Sequence, residues 1–325
     1  MLFVPSWFKR NAMADLTFWK DRKVLVTGGA GFLGSYVVAN LTRERGVPPG
    51  DIVAPRSRDC DLRNLENCLR AVAGCDVVIH LAAVTGGIGF SRTYPASQYY
   101  DSTFIDLNVI EAARRTGVRK LVAIGNLFAY AADAPIPLQE ETLFDGLPAV
   151  PHRGVGWLKR NLAILADVYH RQYQLPMVVV YSANAYGPGD SLDPAHAHVI
   201  PSTIMKCFRE ESLVVWGDGS PTRDFLFAPD IAEGLLLAAE TLDAPGFVNI
   251  GAESETSIRE LVQIITRATG FRGEVTYDVS KSGGDARRAA SAMKARRLLG
   301  FRPRVSIEEG LRQTVAWYRE RLGVR

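Results

Sequence analysis

Five short apolar runs punctuate the first half of the chain, at residues 23–27 (KVLVT), 51–54, 76–81 (DVVIHL), 120–125 (KLVAIG) and 177–181 (MVVVY). Each is too short for a helix and mostly apolar throughout instead of alternating, which is the pattern of strands covered on both faces. Between them lie stretches of helical period at 35–45, 61–73, 99–116 and 158–172, the second placing Leu62, Leu65, Leu69 and Val72 on one face. Strand and helix in alternation predict an α/β fold, a Rossmann-like doubly wound parallel sheet. After Asn184 the rhythm loosens. Gly and Pro interrupt 186–201, and helices are expected at 200–209, 229–240, 257–269 and 307–321, forming a smaller C-terminal lobe.

Composition narrows the partners. Apolar residues at 47% and charged residues at 22% are those of a folded globular chain, which excludes a disordered one. The balance of 38 basic against 35 acidic residues leaves +3, too little to predict nucleic-acid or membrane binding. No apolar run is long enough to span a bilayer. Cys60, Cys68, Cys75 and Cys207 lack paired metal spacing and are too few for a disulfide scaffold, so no metal is expected and a reducing cytoplasm is. Residues 1–20 carry Trp7, Phe8 and Trp19 without any period and are expected to be an N-terminal extension that packs on the domain or on a partner. The basic pair Lys9-Arg10 follows its apolar residues, which argues against a secretory signal.

The first strand runs into Thr27-Gly28-Gly29-Ala30-Gly31-Phe32-Leu33-Gly34 and then into a helix. In that context Gly28 permits a tight turn, Gly31 lets backbone approach a pyrophosphate, and Gly34 lets helix and strand lie close. Phosphates then rest on the helix N-terminus, where free N–H groups favour anions. A glycine triplet alone is weak, but strand before and helix after is the confirming arrangement for a dinucleotide. The dinucleotide-binding domain is therefore expected over 21–184, with part of 222–250 returning to it, and a mainly substrate-binding lobe over 185–325. At the end of the second strand the chain offers Ala54-Pro55-Arg56-Ser57-Arg58-Asp59, two guanidiniums before any carboxylate. Arginine forks match a 2′-phosphate, whereas a ribose diol calls for an acid, so NADP(H) is favoured over NAD(H). The bland alternative is a solvated basic loop.

TGGAGFLG, Asp61-Leu62, His80-Leu81-Ala82-Ala83, Tyr186-Gly187-Pro188 and Arg223-Asp224-Phe225 together resemble the extended short-chain dehydrogenases that act on nucleotide sugars. Within them RSRDCDL, HLAAVTGGIGFSRTYPA, HAHVIPSTIMKCF and VVWGDGSPTRDFLFAPDIA are most similar to the GDP-L-fucose synthases, from about Lys23 to the C-terminus. The resemblance implies a nucleotide-diphosphate sugar, GDP-linked, as substrate. It implies cofactor contacts at Gly28, Gly31, Phe32, Leu33, Gly34, Asp61, Leu62, Leu81, Ala82, Ala83 and Lys159, with Arg56 and Arg58 on the NADP phosphate. It implies sugar-nucleotide contacts at Asn184, Val199, Trp216, Arg223 and Arg287, the two arginines on the diphosphate, and His198 as proton donor for epimerisation. It also implies a homodimer packed through helices 99–116 and 158–172, to which Val109, Ile110, Leu162 and Leu165 would supply apolar surface unless they serve the chain's own core.

One departure from the family pattern stands out. That chemistry uses a Ser or Thr, a Tyr, and a Lys four residues after the Tyr, the phenol moving a proton while hydride is transferred. Lys159 is in place, but Val155 stands at the Tyr position, Asn126 at the Ser position, and Phe128 where the fucose synthases carry a proton-abstracting Cys. Valine cannot move a proton, and an amide cannot accept one at neutral pH. The substitutes within reach are Lys159, His152, Tyr130 and His198, while Asn126 could still hydrogen-bond a sugar oxygen; Lys159 has an ordinary role on the nicotinamide ribose, and His152 has a bland reading as a loop residue. Three functions follow: an NADP-dependent epimerase or ketone reductase of a GDP-sugar with a rebuilt acid/base set, a different reaction on the same scaffold, or a catalytically silent binder of cofactor or nucleotide sugar.

Overall fold

A computed structural model of the chain describes residues 16–86, 88–194, 197–281 and 285–324. Trp7, Phe8 and most of the expected N-terminal extension lie outside them. In chain order the elements are β1 (Val24–Thr27), α1 (Phe32–Arg43), β2 (Ile52–Val53), α2 (Leu65–Val72), β3 (Val77–His80), α3 (Ile88–Thr93), α4 (Pro95–Thr116), β4 (Lys120–Asn126), α5 (Arg153–Tyr173), β5 (Met177–Ser182), β6 (Asn184–Tyr186) and α6 (Val199–Arg209). They continue with β7 (Ser212–Trp216), β8 (Thr222–Arg223), β9 (Phe225–Phe227), α7 (Ala228–Thr241), β10 (Gly246–Ile250), β11 (Thr256–Ser257), α8 (Ile258–Thr269), β12 (Glu274–Asp278), β13 (Arg287–Arg288), α9 (Met293–Leu299) and α10 (Ile307–Leu322).

Six strands form one parallel sheet in the order β10-β5-β4-β3-β1-β2. The apolar runs become strands because both faces are covered: every residue of β1, β3 and β5 is buried. Helices α1 and α7 pack on each other, as do α4 and α5. The sixth strand, β10, was not among the five apolar runs; it pairs with β5 over Gly246–Ile250. The strand order reverses at β1, and the Gly28–Gly34 turn leaves from its C-terminal end, where such sheets hold ligands.

Several helices begin earlier than their apolar period. The glycine turn passes directly into α1 at Phe32, α4 starts at Pro95 with proline in its first turn, and α5 starts at Arg153. Helix α2 begins later than expected because the Asn64 side chain accepts from the N–H of Glu66 and Asn67 and so sets the cap.

A second cluster of buried side chains, including Tyr186, Ile204, Leu213, Phe227, Leu261, Leu311 and Tyr318, gathers β7, α6, α8 and α10. Trp19 is 2% exposed and joins the main core, with its indole N–H donating to Glu240 at 2.6 Å. Val109, Ile110, Leu162 and Leu165 are all buried within the chain. They serve its own core and leave nothing for a partner; the large apolar side chains that do face outward on α4 and α5 are Tyr99, Tyr100, Phe104, Trp157, Ile164, Val168 and Tyr173. Near the C-terminus Arg296 pairs with Glu253 and Arg304 lies 3.6 Å from Glu233, so these two side chains are tied to the surface beneath them.

Candidate functional site

At the end of β1 the backbone turns through Gly28, whose φ of +68° is a left-handed conformation that suits glycine. Gly31 donates its N–H to the Gly28 carbonyl at 2.9 Å, and a Cβ on Gly34 would stand 2.1 Å from that same oxygen. Helix and turn are thus pressed together. No side chain caps α1 at Gly31, and its first turn holds no acidic residue, so the positive end of the helix, with Phe32, Leu33 and Gly34, is left to an anion.

The neighbouring strand end is locked to this turn by a buried chain of polar groups. Thr27 Oγ1 accepts from the N–H of Leu81 at 3.0 Å and of Ala82 at 3.2 Å, and lies 2.7 Å from His80 Nδ1. His80 Nε2 is 3.0 Å from Asp106 Oδ1. With its acceptor capacity used, the Thr27 hydroxyl donates to Nδ1, which leaves the imidazole proton on Nε2 facing the carboxylate. This holds the backbone at Leu81 and Ala82 beside Gly28, where a dinucleotide would lie.

Past β2 the side chains of Arg56 and Arg58 are exposed, Arg58 lying 3.4 Å from Asp59. Asp61 accepts from Arg63 Nε at 2.9 Å and Nη2 at 2.8 Å, which holds its carboxyl below the usual range, and Leu62 is buried beside it.

The other end of the site is assembled from five separate segments. Asn126 ends β4 and accepts from the Phe128 N–H at 3.1 Å, shaping a tight turn. The Phe128 ring stacks on His152, centroids 3.9 Å apart and planes at 21°. Helix α5 presses against the same turn at Gly156, where a Cβ would meet the Phe128 carbonyl at 2.4 Å, and carries Val155 and, one turn on, the buried Lys159. Arg288, 2% exposed, donates to the carbonyls of Leu127 at 3.4 Å and Ala131 at 3.1 Å and to Asp285 at 2.8 Å. Its register partner across β13 and β8 is Arg223, which donates to the Thr222 carbonyl at 2.7 Å. Helix α3 packs on the turn that holds His152. Burial pushes the His152 imidazole down to about 4; Asp285 opposes this, while the charges of Arg288, Arg223 and Arg92 add to it.

The remaining candidates are placed as follows. Asn184 donates to the Asp224 carbonyl at 3.0 Å, beside Arg223. His198 caps α6 by position and is exposed, and Val199 follows at the helix start. Trp216 ends β7, exposed, with the Lys281 ammonium 5.1 Å over its ring. Arg287 points outward and is paired with Glu255, 2.5 Å away, whereas the next residue in the strand points in. Tyr130 is corrected as a proton carrier: it is wholly buried, its hydroxyl donates to Asn249 at 2.7 Å, and burial raises its pKa far above neutrality. Arg92 and Arg288 are the side chains that sequence reasoning passed over. Arg288 adjoins Arg287 in a two-residue strand, where only the register decides which arginine faces inward.

The chain belongs to the NAD dependent epimerase/dehydratase family, whose pattern it matches over residues 24–251. It is 32% identical to the GDP-L-fucose synthase of Sinorhizobium fredii over 298 residues, 89% of this chain and 93% of that one. Among solved structures it is similar to a GDP-L-fucose synthetase from Naegleria fowleri bound to NADP, with 26% identity, a TM-score of 0.84 and coverage of 94% and 95%. It is also similar to the UDP-glucose 4-epimerase of Thermotoga maritima with UDP-glucose, with 28% identity, a TM-score of 0.81 and coverage of 92% and 99%.

Proposed function

We propose that the chain binds NADP(H) on the Gly28–Gly34 turn and epimerises or reduces a GDP-linked sugar, using acid and base groups other than the usual phenol. The observation that carries this is the match to a GDP-L-fucose synthase along nine-tenths of the chain, joined to a cradle in which a single added Cβ at Gly34 would collide with backbone. The Naegleria relative was solved with NADP, and the exposed Arg56 and Arg58 suit its 2′-phosphate. Leu81 and Ala82 lie against Gly28; Ala83, Asp61 and Leu62 would add further cofactor contacts, and Lys159 would hold the nicotinamide ribose.

The bound cofactor supplies or takes up the hydride. Arg223 receives the diphosphate beside Asn184, with Val199, Trp216 and Arg287 as further contacts. Protons are left to the two histidines. Kept neutral by its surroundings, His152 accepts a proton at pH 7, and His198 at the head of α6 donates one; Asn126 fixes the turn that carries Phe128 against His152. The chain acts in the cytoplasm as a homodimer; among the described residues no helix is long and apolar enough to cross a membrane.

Nicotinamide absorbance during incubation of the protein with NADPH and a GDP-4-keto-6-deoxy sugar tests this. Turnover is expected, and Val155→Tyr combined with Asn126→Ser should raise it about 10² to 10⁴-fold, the usual worth of a positioned acid/base. Val155 and the inaccessibility of Tyr130 favour a second reading, a silent binder. Cofactor and GDP-sugar held without turnover, and no gain in the double variant, would establish that reading instead.

A further inference from the structure

Tyr181 stands in β5 opposite Gly125 of β4 and is wholly buried. Its ring lies across that glycine, where a Cβ would come within 2.3 Å of Cδ1, and it meets Tyr130 and Phe247 edge-on at 6.1 and 6.0 Å. Held by these neighbours, the ring aims its hydroxyl at α5 and donates to the backbone carbonyl of Lys159 at 3.0 Å. Burial pushes the phenol far above neutrality, so it stays a donor at any working pH. Among the described residues this is the one hydrogen bond between a strand of the sheet and α5. Arg160 ties the next residue of the helix to the carbonyls of Ala129 and Gly146, which lie outside the sheet. The neighbouring buried side chains Leu158, Leu162 and Ala163 are apolar, and their burial has no direction.

The residue so gripped is 8% exposed, yet the Lys159 ammonium makes no hydrogen bond or ion pair with the described residues. A lysine head without a protein partner is aimed only by the backbone that carries it. We propose that Tyr181 is a positioning residue: from within the sheet its hydroxyl fixes the Lys159 carbonyl, and with it the point from which the ammonium meets the nicotinamide ribose. This rests on the reading of Lys159 given above.

The test is calorimetric titration of the full chain with NADP and with adenosine 2′,5′-bisphosphate, which keeps the 2′-phosphate but has no nicotinamide half. Tyr181→Phe retains the ring and leaves the Lys159 carbonyl to its own helix, so the variant should fold. It should weaken NADP about three- to tenfold, the usual worth of one buried hydrogen bond, and leave the bisphosphate within about twofold of the wild type. If the phenol acts through the lysine, Tyr181→Phe should change nothing further in a Lys159→Met background. A loss shared equally by both ligands, no loss of NADP affinity, or a loss that persists beside Lys159→Met overturns the inference and leaves the reading of Lys159 standing. Lys159→Met that binds NADP as tightly as the wild type overturns that reading, and the inference with it.

Discussion

The imidazole of His152 is stacked on Phe128 and sits among cations, and a half-buried histidine in such company resists protonation. Its pKa is about 4 in the folded chain and near 6.5 when unfolded. Between those values the unfolded state binds the extra proton, so this group makes the protein less stable as pH falls from about 7 towards 4. Asp224, raised to about 7 by burial, and Asp230, raised to about 6, act in the opposite direction: protonated when folded, they favour the native state as pH falls. The total profile is therefore a compromise, but a difference isolates the histidine. Denaturant unfolding at pH 7 and pH 5 should show the wild type losing up to about 2 kcal/mol more than His152→Asn. Equal losses would mean that His152 titrates as it does in the unfolded chain, and a smaller loss in the wild type that it is already protonated when folded; the second outcome would remove it as a proton acceptor.

At the scale of elements, the close contact of α1 with its turn joins stability to cofactor binding. Gly34→Ala puts a methyl 2.1 Å from the Gly28 oxygen, and backbone there cannot give way cheaply. A loss of about 1–3 kcal/mol is expected, together with loss of NADP(H) binding, read by thermal melts with and without cofactor. Ser257→Ala, which removes the Glu260 capping box of α8, should cost about 1 kcal/mol and leave the cofactor-induced shift in melting temperature intact. The same elements explain how much of the molecule could be read from its sequence. Strands buried on both faces write themselves as apolar runs, and the glycine turn is local, so β1 through α1 was legible to within three residues. The first turns of α4 and α5 are rich in Pro, Gly and polar residues, which carry no period. The cluster around Phe128 was least legible, because Phe128, His152, Arg223 and Arg288 meet only through two-residue strands and a stacked ring pair.

For the whole molecule, the outward faces of α4 and α5 pose the question of a partner. Tyr100 is 61% exposed and its ring lies 4.7 Å from that of Phe104, one turn further along the helix. On α5, which packs against α4, Trp157, Ile164 and Val168 recur at helical spacing and are all exposed. Scattered apolar side chains on a surface mean little, but exposed aromatic and aliphatic side chains at helical spacing on two helices that pack together are what a protein contact uses. Two copies related by a twofold axis would set these helix pairs against each other as a four-helix bundle, each residue meeting its counterparts on the same patch. Phe104→Glu with Ile164→Lys places charges in the middle of that face without touching the core residues Val109 and Leu162 beneath it. Light scattering on the eluted protein should give twice the 35.6 kDa chain mass for the wild type and the single-chain mass for the double variant. Helix content and cofactor binding should be retained, since the site lies at the sheet's strand ends and not on this face. A wild type that elutes at the single-chain mass at micromolar concentration would sink the dimer.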